Sequence, residues 1–281
     1  MFPYDDTQFK LGMCSFSNSL RIYRKLGTVM SKSISEVGCA AVPGVFKSLT
    51  SILSLLEKHS GQQEVLELLD IYNRDSTKST SSVNGSNHPL VVFEGLDGSG
   101  KSLLTKLTSK KLKGIKLSTP PDSVKHLRPY FDGDGVDRVL RRAFYSLGNY
   151  LAARDLQKLL KSSPVVMDRF WHSTAAYAIA EQTDSDDIPE STFTWPSDLL
   201  QPDLVVFLTV SEDVRLERMS RRSNFTSEED QLKENSAYRQ KLTDTFAKMK
   251  EPSLKFVDCG RTPNAVLKDV LSLLEDIKEE T

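Results

Sequence analysis

The run Gly95-Leu96-Asp97-Gly98-Ser99-Gly100-Lys101-Ser102 sits between the apolar stretch Leu90-Val91-Val92-Phe93 and the helix-forming stretch Leu103-Leu104-Thr105-Lys106-Leu107. Its glycine, lysine and serine spacing is that of a phosphate-binding loop joining a strand to a helix. The residue types follow from that task. Glycines let the backbone wrap tightly with its N–H groups pointing inward. The helix that begins at the loop adds its N-terminal amides and its dipole, which favour an anion. Lys101 is placed to reach the β- and γ-phosphates, and Ser102 to ligate Mg2+ through its hydroxyl. Gly95–Ser102 is therefore the expected ATP site, with Mg2+ as the accompanying cation.

Outward from this loop, short apolar runs alternate with longer amphipathic stretches. The runs are Leu90–Phe93, Ile115–Leu117, Val165–Met167, Leu204–Val210 and Leu254–Val257. Continuous apolar strands of this kind are buried on both faces, as in a parallel sheet covered by helices. The pattern predicts an α/β domain over 89–281: a P-loop NTPase-type doubly wound five-stranded parallel sheet with helices on both faces and a lid. Before it, 47–72 reads as helical, broken at Ser60-Gly61. Residues 73–88 are polar and read as a flexible linker. Residues 1–46 form a basic, serine-rich segment. The linker predicts that 1–88 stand apart from the sheet and are dispensable for catalysis.

A phosphate loop alone does not name a reaction. The sequence holds no guanine-reading Asn-Lys-x-Asp motif, which argues against a GTPase switch. Asp203 stands at the start of the run Leu204–Val210, the wrong end for the acidic residue of a motor ATPase. Asp168-Arg169-Phe170, by contrast, directly follows Val165-Val166-Met167. Ligands of open parallel sheets bind outside the carboxyl ends of the strands. Asp168 is thus placed to hold Mg2+ through water, and Arg169 to grip a second phosphate with its fork. Residues 211–234 carry Arg215, Arg218, Arg221 and Arg222. A solvated helix face with i,i+4 pairs explains part of this cluster; a lid closing on phosphates explains more of it.

Phe93–Ser102, Asp168–Tyr177 and Pro202–Leu208 with its arginine-rich sequel resemble the thymidylate kinase family, in that family's order, over about residues 88–275. Arg141–Tyr150 and Asp168–Ala180 further resemble its mitochondrial UMP/CMP kinase branch. The resemblance implies a nucleoside monophosphate kinase that moves the ATP γ-phosphate to CMP, UMP, dCMP or dUMP, supplying pyrimidine nucleotides for mitochondrial nucleic-acid synthesis. It implies that Asp97 approaches the sugar hydroxyl and Arg169 binds the acceptor phosphate. Tyr145 matches the aromatic that stacks on the base, with Ser173 and Tyr177 in the same pocket. Arg218 and Arg222 match arginines that flank the adenine and close as a lid. Lys101, Asp168, Arg169 and Arg222 are then the residues expected to carry catalysis, with Ser102 and Asp168 at the metal. Two departures stand out. Thr119-Pro120-Pro121-Asp122 replaces the family's Phe-Pro-x-Arg segment, leaving Lys125, Arg128 and Arg142 as alternatives for its arginine. Asn149 replaces a base-reading arginine; four residues from Tyr145 on one helix face, it offers both donor and acceptor to a cytosine or uracil edge. The alternatives are a thymidylate kinase, or a nucleotide-binding regulatory protein with secondary kinase activity.

Bulk composition agrees. The chain has 281 residues and a formal net charge of −1, without the basic excess of a nucleic-acid binder. Cys14, Cys39 and Cys259 are far apart and form no CxxC, which argues against a disulfide framework or a zinc site. No apolar run reaches the length of a membrane span. From Thr7 to Ser35 there is no acidic residue, while Lys10, Arg21, Arg24, Lys25 and Lys32 stand among many serines. That composition suits a mitochondrial transit segment, with the cytoplasm as the alternative location. The sequence leaves a homodimer open.

Overall fold

All five apolar runs become strands: β1 (Leu90–Glu94), β2 (Ile115–Ser118), β3 (Val165–Asp168), β4 (Leu204–Thr209) and β5 (Leu254–Asp258). The computed structural model describes residues 42–76, 87–181, 188–221 and 232–279. The strands pair in parallel in the order β2-β3-β1-β4-β5. Side chains alternate across this sheet, as a period of two requires. Leu90, Val92, Val165, Met167, Val205 and Phe207 face one apolar core. Val91, Phe93, Val166, Val206 and Leu208 face the other. Burial on both faces is why these runs read as uniformly apolar rather than alternating.

Helices α1 (Leu49–Lys58) and α2 (Gln63–Ser76) precede the sheet, and α3 (Lys101–Lys111) follows the glycine loop. Next come the single turns α4 (Asp122–Lys125) and α5 (Arg128–Phe131), then the long α6 (Arg138–Leu159), started by Asp137 accepting from the N–H groups of Val139 and Leu140. The rest are α7 (Trp171–Ala180), α8 (Glu212–Ser220), α9 (Ser236–Ala247) and α10 (Pro263–Glu279). The second core is closed by α3 and α10, through Leu104, Val266, Val270 and Leu274. The first is closed by α6, α7 and α9.

Helices α1 and α2 occupy the stretch read as helical, and they are not set apart from the sheet domain. Ile52 and Leu56 of α1 and Val65, Leu68 and Leu69 of α2 are buried in the first core, beside residues of α6 and α7. Lys47 donates to the carbonyl and hydroxyl of Thr194 and lies over the Trp171 ring. The Leu49 N–H donates to Asp198 at 2.8 Å, and Arg154 donates to the Tyr72 carbonyl at 2.7 Å. Of the chain's two compact units, the one that spans Ala40–Thr281 accordingly holds α1 and α2 together with the sheet. The sequence misleads here because a polar stretch signals a break in the chain, not in the packing. The apolar stripe of α1 is too large to be left in water and lies on α6 instead, while α2 packs on α1 and α4. The basic segment 7–35, Cys14, Cys39 and most of the predicted linker lie outside the described residues.

Two outcomes follow from this packing. A chain beginning at Asn84 should be insoluble or lack a cooperative unfolding transition, because the face of α6 covered by α1 becomes exposed. In the full chain, Leu56→Ala should lower stability by about 2–5 kcal/mol, the cost of a cavity at a fully buried leucine. Denaturant titration measures the second. Soluble, active protein from the shortened chain would show that α1 and α2 are ornament to the core.

Candidate active site

The carboxyl ends of β1 and β3 meet at one cleft of about 760 Å3. The glycine loop turns out of β1 with Gly98 at φ 87 and Gly100 at φ 101, left-handed conformations that side chains resist. Gly98 has a second reason to be bare: a Cβ there would stand 2.9 Å from both the Cγ and the carbonyl oxygen of Arg215. Gly100 is the residue from which α3 starts, so the loop delivers a helix N-terminus to the cleft. Lys101, only 6% exposed, curls back to donate to the carbonyls of Gly95 and Leu96 at 2.9 and 2.8 Å. Burial pulls its ammonium down to about 8, helped by the Arg169 charge and opposed by Asp97, Asp168 and Glu94. Ser99 is buried and its carbonyl accepts from Arg218.

Arg169 occupies an unusual backbone position, φ 68. A left-handed conformation without glycine costs about 1–3 kcal/mol and needs outside support. That support is visible. The Arg169 N–H donates to the Phe93 carbonyl at 3.0 Å, and its own carbonyl accepts from Thr119 Oγ1 at 3.1 Å. Its guanidinium donates to Asp97 Oδ1 at 2.7 Å and to Ser173 Oγ at 2.9 Å. Burial works against the charge, yet Asp97, Tyr177, Glu94 and Asp168 outweigh it and hold the guanidinium firmly protonated.

Ser102 Oγ donates to Asp168 Oδ2 at 2.6 Å. A hydroxyl and a carboxylate oxygen side by side at the phosphate loop are hard oxygen donors of the kind Mg2+ takes, and one carboxylate suffices because the ion draws its other ligands from water and phosphates. No cluster of three or more His, Cys, Asp or Glu side chains that could hold a metal occurs among the described residues. The donor set thus fits Mg2+ carried with a nucleotide and does not resemble an all-protein cage.

On the far wall, Tyr145 lines the cleft and donates to Asp132 Oδ1 at 2.7 Å. Ser173, Thr174 and Tyr177 line it from α7. The three cations left open by the sequence all line it as well. Lys125 pairs with Asp122, and Arg128 with Asp132 and the Tyr145 hydroxyl. Arg142 forms a buried pair with Glu181. Asn149 is placed differently. It is fully buried behind Thr174, donating to Thr174 Oγ1 at 3.1 Å, and Thr174 rather than Asn149 reaches the cleft. Arg222 lies outside the described residues, so the expected lid is represented by Arg215, Arg218 and Arg221. Arg218 bridges the Ser99 carbonyl at 3.2 Å and the Cys259 carbonyl at 2.8 Å. Arg221 pairs with Glu217 on the surface, the plain i,i+4 contact of a helix face.

Residues 93–270 match the family described as thymidylate kinase. The chain belongs to the thymidylate kinase family. It is 38% identical over 218 residues to human mitochondrial UMP-CMP kinase 2, covering 75% of this chain and 46% of that protein. The chain therefore spans about half the length of that relative. A thymidylate kinase of Leptospira interrogans is 28% identical over 204 residues, covering 68% of this chain and 96% of that one. Among solved structures, the thymidylate kinase of Candida albicans superposes with a TM-score of 0.54 at 22% identity, over 70% of this chain and 96% of that one. That last likeness bears on the fold.

The structural roles of two residues of this family member escaped the sequence reading. Glu94, the last residue of β1, is wholly buried and accepts from the N–H groups of Phe170 and Ser173 at 2.9 and 3.2 Å and from the Ser173 hydroxyl. Burial pushes its carboxyl up, against the pull of Arg169, Ser173 and Phe170. A carboxylate ending an otherwise apolar strand was the available signal. Arg215 is 1% exposed and uses its guanidinium fully: two bonds to Glu212 at 2.7 and 2.8 Å, one to the Asp97 carbonyl at 3.1 Å, one to the Leu232 carbonyl at 3.3 Å and one to Met219 Sδ. It rivets the phosphate loop to both ends of the predicted lid. Nothing in the sequence distinguishes it from its neighbours Arg218 and Arg221.

Lys101 yields a pH prediction. Its ammonium in the nucleotide-free protein loses a proton as pH rises through about 8, and kcat/KM reports groups of the free enzyme. Activity toward ATP measured this way should be full below that pH and fall above it. A profile that stays flat to about pH 10, the ordinary lysine value, would overturn the assignment.

Proposed function

We propose that the chain is a nucleoside monophosphate kinase that moves the γ-phosphoryl group of ATP onto CMP, UMP or their deoxy forms, with Mg2+ as cofactor. One observation carries this reading. Lys101 at the phosphate loop and Arg169, linked to it through Asp97, face the same cleft from neighbouring strands. One cleft thus offers cations for two phosphate groups. A plain ATPase has no use for the second.

The chain's own groups account for the chemistry. Phosphoryl transfer asks for alignment and charge stabilisation more than for covalent help. The loop amides and the start of α3 hold the donor phosphates. Lys101 exchanges its carbonyl partners for phosphate oxygens and meets the negative charge of the transferring group. Arg169 holds the acceptor phosphate in line, so that one of its oxygens attacks the γ-phosphorus as the bond to the β-phosphate oxygen breaks, leaving ADP. Ser102 and Asp168 would hold Mg2+, which when bound neutralises charge on the β- and γ-oxygens. Arg218 belongs to the donor side, where it spans the phosphate loop and the loop after β5. Arg128 and Arg142 belong to the acceptor side.

For base choice, Tyr145 supplies a stacking face and Thr174 a hydroxyl. That hydroxyl accepts from Asn149 Nδ2, while Asn149 Oδ1 is buried with no hydrogen-bond partner. An amide can turn over, and its orientation follows the network around it. In one sense Thr174 is free to donate toward a uracil carbonyl; in the other it donates to Asn149 and accepts from a cytosine amino group. An arginine at 149 could only donate. This supports acceptance of both CMP and UMP. A mitochondrial location is supported by the acid-free stretch 7–35 and by the mitochondrial relative; imaging the full chain with a C-terminal tag tests it, and diffuse cytosolic signal would refute it.

A panel of monophosphates with ATP and Mg2+ tests the activity. CMP and UMP should be converted to diphosphates and dTMP poorly. Lys101→Ala should lower kcat by about 10²-fold or more. Thr174→Val should cut kcat/KM for CMP and UMP by about tenfold, one lost hydrogen bond to a buried edge, and leave the KM for ATP unchanged. Dominant turnover of dTMP would favour the thymidylate kinase reading instead.

A further inference from the structure

Residues 42–76 lie outside the 93–270 family match, and the phosphoryl-transfer reading above makes no use of them. Their contacts nonetheless converge on the acceptor side of the cleft. Gln62 Oε1 accepts from the Tyr130 hydroxyl at 2.6 Å, and Glu67 Oε1 meets His126 Nε2 at 2.8 Å. Tyr130 belongs to α5 and His126 directly follows α4, the two turns that carry Arg128 and Lys125. Helix α2 itself packs on α4. At the other end of the segment Gly44 lies against the stem of Arg142: a Cβ there would stand 3.1 Å from Arg142 Cγ, 3.2 Å from its Cβ and 3.4 Å from the Ala178 side chain. Val42 and Val45 on either side are buried, which fixes Gly44 in place. The Phe46 carbonyl accepts from Trp171 Nε1 at the start of α7, the helix that brings Ser173 and Thr174 to the cleft.

These attachments have a physical purpose. The turns α4 and α5 span four residues each, too short to hold a conformation by their own hydrogen bonds. A cation carried on such a turn is positioned by its own partners, here Asp132 and Tyr145 for Arg128, and by what the turn is tied to. Apparent affinity falls in proportion to the fraction of molecules whose site is correctly arranged. We propose that residues 42–76 are a brace for the acceptor site: they hold Arg128 and Arg142 where the monophosphate is gripped and so set affinity for the acceptor and not for ATP. The inference rests on the acceptor-side assignment made above. Gln62, Glu67 and Gly44 act through other residues and are positioning residues, not catalytic ones.

The test uses the full chain and reads the Kd of CMP and of a non-hydrolysable ATP analogue by calorimetry, with turnover alongside. Gln62→Leu combined with Glu67→Leu should raise the Kd for CMP about three- to tenfold, as for loss of one or two modest hydrogen bonds, and leave the ATP analogue within about twofold. Gln62→Glu, which keeps an oxygen facing Tyr130, should restore CMP binding. Gly44→Ala, which strains the backbone at φ 85 as well as crowding Arg142 Cγ, should weaken CMP independently. Tyr130→Phe is the milder variant should the double one fail to fold. A folded double variant with unchanged CMP affinity, or with both nucleotides weakened equally, would reduce the segment to a core filler. A wild-type protein that binds CMP and ATP but transfers no phosphate would count against the kinase reading and leave the brace standing.

Discussion

Glu94 ends β1 inside the protein, and its carboxylate accepts the first amides of α7, the helix that follows β3. Those amides have no partner within their own helix. By satisfying them, Glu94 fixes where α7 begins, and with it the positions of Arg169, Ser173 and Thr174. The arrangement suits both partners: a buried carboxylate is costly unless it is hydrogen-bonded, and a helix start is costly unless it is capped. Arg169 in turn joins Asp97 of the glycine loop. The backbone ladder registers β1 against β3, and the buried acid adds the start of α7 to that register.

The cleft is organised by arginines that differ in how much of their bonding is committed. Arg215 has given every donor to the protein, so removing it would take a partner from the Asp97 carbonyl of the phosphate loop and both bonds from Glu212, while the Leu232 carbonyl keeps its bond from Arg239. Arg169 and Arg218 hold carbonyls, hydroxyls or a carboxylate that phosphate oxygens can replace. Arg142 is held by Glu181 and lies over Tyr177, a planar cation kept flat against a wall. Burial and partner type separate these side chains: Arg215 is wholly committed inside the protein, while Arg169 keeps exchangeable partners at the cleft.

The sheet was legible in the sequence almost to the residue, because the three central strands are apolar on both faces and the glycine loop marks where the first ends. The loop, Asp168 and Arg169 were legible because their chemistry requires particular residues at particular places. Asn149 was placed one layer too far forward: helix spacing puts it on the face of Tyr145 but cannot show that Thr174, from another helix, comes between. The standing of α1 and α2 was misread for a related reason. A polar stretch of chain says nothing of where the apolar stripe before it will find cover, and that cover, on α6 and α7, is distant in sequence. Glu94 and Arg215 were missed because what marks them is burial.

The tie between Lys47 and Thr194 spans 147 residues, and that between Leu49 and Asp198 spans 149. The ribosome therefore makes the apolar faces of α1 and α2 long before it makes the surface that covers them. At about 5–20 residues per second, those faces wait for several seconds or more with nothing native to pack on. Closure of so long a loop is also a slow step once the chain is complete. During synthesis, and during any passage through a membrane in extended form, α1 and α2 present their apolar faces to chaperones until α6 and the segment around Asp198 have been made.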